Sequence, residues 1–331
     1  MVVHMRATTE PLFSQENLWT SVKIVHNLWI SWKNDVDIQR VFHIFHRVIH
    51  RINGMFMLTK EAEMGYKMVF SDMDGTLLWK GVRLSVENFE AIRKVVDKGV
   101  DFVICTGRGV FGVEPYLKQL DMIGKKGYAI CQNGAAVYDL RDMSLVLKKS
   151  FSPVLLKPVS DYARDLGDIE LFYYDDRTFM CEKLTDVVEE YCQVMKTTPR
   201  LVNDPTEYDG ELTKCLFSGP REKLEQVKKF AKDLLGDQVN LFYSSETYME
   251  FIISGVDKGS ALEAAAKAAG VDLQDTIAIG DSDNDLPMIL KAGLGVAMKN
   301  GEEHVKQAAA YITERTAEEH GVAEVLEKFI L

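Results

Sequence analysis

Short apolar runs recur along residues 64–331, and stretches with the spacing of an amphipathic helix separate them. After Ser85, which is placed to cap a helix, Phe89, Ile92 and Val96 fall on one helical face. Strands that alternate with helices in this way build a largely parallel sheet. The pattern predicts strands at 67–72, 100–105, 127–132, 276–280 and 294–298, and helices at 85–98, 109–120, 258–269 and 317–329.

A different order of elements interrupts this alternation between residues 150 and 252. The segment reads as helix, two strands, helix, strand, helix and two strands, with strands predicted at 169–174, 178–182, 212–217, 239–243 and 247–253. We therefore expect an α/β protein with a doubly wound, mainly parallel Rossmann-like core made of residues 64–149 and 253–331. A second α/β domain is inserted at 150–252.

Residues 1–63 differ from the rest of the chain, because they hold five of the seven histidines and three of the four tryptophans. One interpretation is a real extension with a helix on which His43, His46 and His50 share a face that could hold a metal. The other is that the natural protein starts at Met64, just before the first strand. We expect the second, with the upstream residues added by a misassigned start or poorly ordered.

Composition narrows the class of protein. The net charge of −11 disfavours a nucleic acid or an anionic membrane as partner. The expected partner is a small molecule, bound by a monomer or a weak homo-oligomer. No apolar run reaches the length of about 18 residues that a membrane span needs, and no secretory signal opens the chain. The five cysteines are an odd number without CxxC spacing, as expected for reduced thiols, so we predict a cytoplasmic protein.

Two aspartates follow the first apolar run, in the stretch Asp72-Met73-Asp74-Gly75. Gly75 marks a turn, so both carboxylates fall at the carboxyl end of a strand, the edge at which open α/β sheets bind ligands. The strand period of two lets Asp72 and Asp74 point the same way, and two close carboxylates repel unless a cation or a proton lies between them. Such an oxygen-only site suits Mg²⁺, whereas the alternative is an ordinary strand-end turn.

Three later stretches place further polar groups beside apolar runs. Thr106-Gly107-Arg108 ends one run, Lys258 opens a helix, and an acidic loop from 281 to 285 ends another run. The alternatives are a satisfied threonine, an exposed lysine and a solvated helix start, although the helix dipole disfavours a lysine at that end. Together with the aspartates, these groups supply the nucleophile, hydroxyl, cation and metal ligands that phosphoryl transfer uses.

This set of motifs, in this order, resembles the haloacid dehalogenase (HAD) superfamily of phosphohydrolases, and its detail resembles the Cof-type branch with a type IIB cap. The resemblance covers about residues 64–331. It implies Mg²⁺-dependent hydrolysis of a phosphomonoester through an aspartyl-phosphate. Asp72 would be the nucleophile, Asp74 the general acid and base, and Lys258 the neutralising cation. Phosphate-binding groups are implied at Thr106, Gly107 and Asn284.

The same resemblance implies the metal ligands. Mg²⁺ would bind Asp72, the backbone carbonyl of Asp74 and Asp281. Asp285 would hold the metal's waters or orient Lys258. Arg108 would contact the substrate or brace its loop, and both alternatives stay open.

Candidate substrates are sugar phosphates, flavin mononucleotide, pyridoxal 5′-phosphate and similar metabolites. The cap sets the substrate in this superfamily, and no motif among cap residues such as Tyr173, Tyr174, Asp176 and Arg177 singles one out. A sugar-phosphate mutase is a close alternative. A catalytically silent regulatory protein that binds a metabolite is an alternative of a different class, which the intact aspartates and lysine disfavour.

Overall fold

The computed structural model describes residues 65–80 and 82–331. The helix that one interpretation places at His43, His46 and His50, and the start expected at Met64, lie outside the described residues. Within the described part of the chain, no helix combines the length and the apolar character needed to cross a membrane.

Strands and helices alternate through most of this part of the chain. The strands are β1 Met68–Ser71, β2 Leu78–Trp79, β3 Arg83–Leu84, β4 Asp101–Cys105, β5 Tyr128–Cys131, β6 Ala136–Asp139, β7 Ser144–Lys148, β8 Glu170–Tyr174, β9 Phe179–Cys181, β10 Arg200–Leu201, β11 Lys214–Ser218, β12 Val239–Tyr243, β13 Tyr248–Ile253, β14 Thr276–Gly280, β15 Leu294–Ala297 and β16 Tyr311–Ile312. The helices are α1 Val86–Asp97, α2 Val110–Gln119, α3 Pro153–Leu166, α4 Asp186–Met195, α5 Arg221–Leu235, α6 Lys258–Ala269, α7 Leu286–Lys291, α8 Glu303–Ala308 and α9 Gly321–Phe329.

The core is a sheet in the order β16-β15-β14-β1-β4-β5-β6-β7. Neighbours from β16 to β5 run parallel, and β6 and β7 extend the sheet by antiparallel pairing. Strand β1 lies between β14 and β4, so the carboxyl ends of three neighbouring strands meet at one edge. The predicted parallel α/β core is confirmed.

Alternate residues of β1 pack into opposite layers, as the strand period of two requires. Val69 packs in one cluster with Ile92 of α1, Leu117 of α2 and residues of α9. Phe70 points to the other face and packs with Leu262 and the alanines of α6. Helices therefore cover both faces of the sheet, which makes the core doubly wound.

The inserted segment forms a second sheet in the order β10-β9-β8-β11-β13-β12, in which every neighbouring pair except β9 and β10 is antiparallel. Helices α3 and α5 cover one face, where Tyr173 and Phe217 are buried. On the other face Tyr174 stacks against Phe111 of the core helix α2, with 6.4 Å between ring centroids. The sequence predicted an inserted α/β cap. The face of its sheet that carries Tyr174 is turned toward the core.

The structure corrects some element boundaries. The helix predicted at 317–329 begins only at Gly321, because a turn precedes it in which the amide of Gly321 donates to the carbonyl of Thr316 at 2.9 Å. His320 then adopts a left-handed φ of 68°. Strands β6 and β7 and the short strands β2, β3, β10 and β16 were not predicted. The Ser85 cap is confirmed, since its hydroxyl accepts the amide of Asn88 at 3.1 Å.

Candidate active site

The polar groups predicted for the site lie at the carboxyl edge of the core sheet. Asp72 follows β1, Asp281 follows β14, and Thr106 follows β4. Because β1 pairs in parallel with both other strands, the three residues reach the same edge although the sequence separates them widely. The apolar runs leading into them are buried, as expected for strands covered on both faces.

Three carboxylates form a compact cluster at this edge. Asp72, Asp281 and Asp285 each offer an oxygen within 4.8 Å of the others, and Asp72 and Asp285 are buried. Burial raises the pKa of Asp72 well above its usual range, Lys258 acts in the opposite direction, and the neighbouring carboxylates add to the rise. Burial and the charge of Asp285 likewise raise the pKa of Asp281 to about 6. An all-oxygen donor set with this excess of negative charge fits Mg²⁺.

Lys258 is the buried cation of the cluster. It is the first residue of α6, and its ammonium donates to Oδ1 of Asp72 at 2.5 Å and to Oδ1 of Asp285 at 2.6 Å. Burial acts to lower the pKa of Lys258, but the two carboxylates outweigh it and hold the pKa well above its usual value. The two ion pairs offset the unfavourable helix dipole, and they hold the ammonium on the nucleophile candidate.

Asp285 organises the acidic loop as well as orienting Lys258. Its second oxygen accepts the backbone amides of Asp281 at 2.9 Å and Ser282 at 3.1 Å. The loop can fold back this closely because Gly280 has no side chain, and a Cβ there would lie 2.4 Å from the Cβ of Asp285. The contact between Asp285 and Lys258 orients the lysine, and the alternative role of Asp285, holding the metal's waters, stays a prediction.

Asp74 does not point with Asp72 into the buried cluster. Strand β1 ends at Ser71, so the two aspartates lie in the turn beyond it, where the strand period no longer holds. The side chain of Asp74 is 46% exposed, and Arg108 donates to both of its oxygens, at 2.6 and 2.9 Å. Its carboxylate therefore lies outside the cluster of three carboxylates, whereas coordination of a metal by its backbone carbonyl stays a prediction.

The loops that carry the predicted phosphate-binding residues meet at the side chain of Asn133. Thr106 is buried, and its hydroxyl accepts the amide of Arg108 at 3.2 Å, which leaves the hydroxyl proton free to be donated. Asn284 donates to the side-chain oxygen of Asn133 at 3.0 Å. A Cβ on Gly107 would lie 3.1 Å from the amide group of Asn133, so the glycine permits this close approach.

One further residue of the site, Thr76, had no role in the sequence-based prediction. The hydroxyl of Thr76 donates to Oδ1 of Asp281 at 2.6 Å and so fixes that carboxylate from the turn that follows Asp74. Arg108 was left between two roles, and the structure places it on Asp74. A signal for Thr76 was available, because a hydroxyl in the aspartate turn faces the same sheet edge.

Residues 69–326 match the family described as haloacid dehalogenase-like hydrolase. Among solved structures, the chain is similar to a haloacid dehalogenase-like hydrolase from Bacteroides thetaiotaomicron, with 31% sequence identity and a TM-score of 0.74 over 80% of this chain and 99% of that one. It is 29% identical over 295 residues to phosphatase YwpJ of Bacillus subtilis, which covers 80% of this chain and 100% of the relative. It is also 29% identical over 286 residues to YwtE of that bacterium, named 5-amino-6-(5-phospho-D-ribitylamino)uracil phosphatase, with 80% and 98% covered.

Proposed function

Because the chain belongs to the haloacid dehalogenase-like hydrolase family, we propose that it hydrolyses small phosphomonoesters with Asp72 as the nucleophile. The observation that carries the proposal is the buried contact of Lys258 with Asp72 beside two further carboxylates. A buried nucleophile held by a cation, at the ligand-binding edge of the sheet, is equipped to receive a dianionic phosphate once a second positive charge joins it.

In the first step, an oxygen of Asp72 bonds to phosphorus while the bond from phosphorus to the leaving oxygen breaks. Asp74 gives its proton to the leaving oxygen, and Lys258 neutralises charge on the phosphoryl group. The hydroxyl of Thr106 and the amide of Gly107 donate to the other phosphoryl oxygens.

In the second step, Asp74 takes a proton from water, and the water oxygen bonds to phosphorus as Asp72 leaves. The product is inorganic phosphate, and both aspartates return to their starting states. The exposure of Asp74 supports this double role, because the leaving oxygen and the attacking water can both reach a carboxyl that faces solvent.

The cluster of Asp72, Asp281 and Asp285 fits a magnesium ion, which Asp72 and Asp281 would bind directly. The backbone carbonyl of Asp74 would be a further oxygen ligand. When bound, the ion would supply positive charge against the phosphoryl oxygens and keep Asp72 ionised at neutral pH.

The proposed substrates are phosphate esters of small polyols, sugars and related cofactors. The support comes from YwtE, whose name describes a phosphate carried on a ribityl chain. A panel of such esters, which includes sugar phosphates, flavin mononucleotide and pyridoxal 5′-phosphate, would rank the leaving groups by kcat/KM.

Release of phosphate from p-nitrophenyl phosphate tests the reaction class. We expect turnover with Mg²⁺ and none with excess EDTA. Asp72→Asn should abolish turnover and covalent labelling, Asp74→Asn should slow turnover severely, and Asp233→Asn, at an exposed carboxylate of α5, should change neither. Undiminished turnover in the Asp72→Asn protein would overturn the assignment of the nucleophile.

A further inference from the structure

The cap carries a buried ion pair on the face that is turned toward the core. Lys214 of β11 and Glu250 of β13 have side chains only 3% and 6% exposed, and their charged atoms lie 3.4 Å apart. Burying both charges costs desolvation free energy that their attraction alone repays poorly. Their further contacts therefore show what holds them there.

Both side chains reach across to loops of the core. The ammonium of Lys214 donates to the carbonyl of Gly107 at 2.9 Å, and it lies 4.7 Å from the ring centroid of Tyr174. Glu250 accepts the side-chain amide of Asn133 at 2.8 Å. Gly107 and Asn133 follow the neighbouring strands β4 and β5, so the cap pair touches two loops at the phosphate-binding edge.

Glu250 determines which way the Asn133 side chain is turned. An ionised carboxylate only accepts hydrogen bonds, so it requires the NH₂ group of Asn133 on its side. The oxygen of Asn133 then faces Asn284, whose NH₂ group donates to it at 3.0 Å. Because a carboxylate stands at one end of this chain of hydrogen bonds, the side-chain amides of Asn133 and Asn284 each have one orientation rather than two.

Resting on the function proposed above, we propose that Lys214 and Glu250 are positioning residues for the phosphate site. Glu250 orients Asn133 and, through it, Asn284. Lys214 holds the carbonyl of Gly107 and so fixes the peptide whose amide, that of Arg108, donates to the hydroxyl of Thr106. These contacts require the cap sheet to lie against the core, so the phosphate site is complete only in that arrangement.

Inorganic phosphate is the probe that separates this role from contact with the leaving group, because it has no leaving group. We measure kcat and KM for p-nitrophenyl phosphate and the competitive inhibition constant of inorganic phosphate, all with Mg²⁺ present. Glu250→Gln should let the side-chain amide of Asn133 rotate by about 180°, because glutamine, unlike an ionised carboxylate, can donate a hydrogen bond to the oxygen of Asn133. We expect kcat/KM to fall about 10- to 100-fold, a loss typical of misplaced groups, and the inhibition constant of phosphate to rise.

The matched control is Glu182→Gln, at a cap carboxylate that accepts hydrogen bonds from Arg164 and Tyr173 within the cap. We expect it to leave kcat, KM and phosphate inhibition unchanged. Lys214→Met should weaken phosphate inhibition, and Lys214→Arg, which keeps a cationic donor, should restore part of it. If the single variants fail to fold, Lys214→Met/Glu250→Met removes both charges at similar volume and should fold with the same loss.

The results assign failure to one proposal or the other. A folded double variant with wild-type kcat, KM and phosphate inhibition overturns the positioning role. A raised KM with unchanged phosphate inhibition also overturns it, because the pair would then act on the leaving group. Wild-type protein that releases no phosphate overturns the proposed function, and this inference with it.

Discussion

Arg108 grips Asp74 with two hydrogen bonds, from Nε to Oδ2 at 2.9 Å and from Nη2 to Oδ1 at 2.6 Å. The arginine side chain is 3% exposed and the aspartate side chain 46% exposed, so a buried guanidinium fixes a carboxylate that faces solvent. The planar fork of arginine sets both the position and the rotation of the carboxylate. Asp74 is thereby held at the rim of the site, apart from the buried carboxylate cluster.

Replacing this fork should slow turnover without removing the charge. In Arg108→Lys a single ammonium replaces two parallel donors, so Asp74 loses its fixed orientation. We expect kcat for p-nitrophenyl phosphate to fall about 10- to 100-fold, as when a proton donor is misplaced. Lys118→Met, at an exposed residue of α2, is the control. An unchanged kcat in Arg108→Lys would show that the two hydrogen bonds from Arg108 to Asp74 do not contribute to proton transfer.

Gly75 and Gly99 offer a matched pair of alanine substitutions. Both have a φ of 86°, but a Cβ on Gly75 would lie 2.6 Å from Oδ2 of Asp281, whereas a Cβ on Gly99 meets nothing within 4 Å. Both variants should lose about 1–2 kcal/mol of stability from the left-handed backbone. Only Gly75→Ala should raise the Mg²⁺ concentration needed for half-maximal phosphate release. Equal Mg²⁺ requirements in the two variants would contradict the role of Asp281 as a ligand.

Removing the buried cation should destabilise the metal-free protein. In Lys258→Met, Asp72 and Asp285 lose their shared partner, and leaving buried charges without one costs about 3–5 kcal/mol. We expect a lower free energy of unfolding by urea in EDTA, together with loss of turnover. Lys291→Met, at a 39% exposed lysine paired with Glu263, should change the stability little. The same unfolding midpoint for Lys258→Met and wild type would show that the cluster stays stable without its lysine.

The cap should lose stability in acid through Asp204. Partial burial acts to raise its pKa, but hydrogen bonds from Lys157 and Thr206 outweigh it and lower the pKa of Asp204 from 3.8 to about 2. A carboxylate with a depressed pKa stabilises the fold above its unfolded pKa, and this contribution disappears as the pH falls from about 4 to about 2.

We therefore expect Asp204→Asn to unfold at lower urea concentration than wild type at about pH 6, and the difference to shrink at about pH 3. Asp237→Asn, at an exposed cap residue, is the control. A difference that stays constant over this pH range would rule out the ion pair with Lys157 as its source.

The sequence alone determined where the candidate catalytic groups lie along the chain. Apolar runs gave the strands before Asp72, Thr106 and Asp281, and parallel pairing brings the carboxyl ends of neighbouring strands to one edge. These strands are buried because their own residues are apolar, so the local sequence pattern was enough to predict them. The same reasoning placed Lys258 at a helix start and recognised a separate inserted α/β domain.

Local pattern failed at the element ends and at the exposed sheet edge. Strand β7 is mostly exposed, so it lacks the apolar run by which the buried strands were recognised. A strand that continued through Asp72 and Asp74 would have let them point the same way, but the strand ends at Ser71, directly before Asp72. A strand's end depends on its neighbours' hydrogen bonds, which the sequence of one segment does not record.

Only the tertiary structure decided which distant side chains meet. Arg108 pairs with Asp74, and the cap residues Lys214 and Glu250 reach Gly107 and Asn133, in each case from a different element. In the sequence, Lys214 and Glu250 are single charged residues in predicted strands, which ordinarily face water. Their burial follows from the way the cap sheet lies on the core, and that packing depends on both surfaces at once.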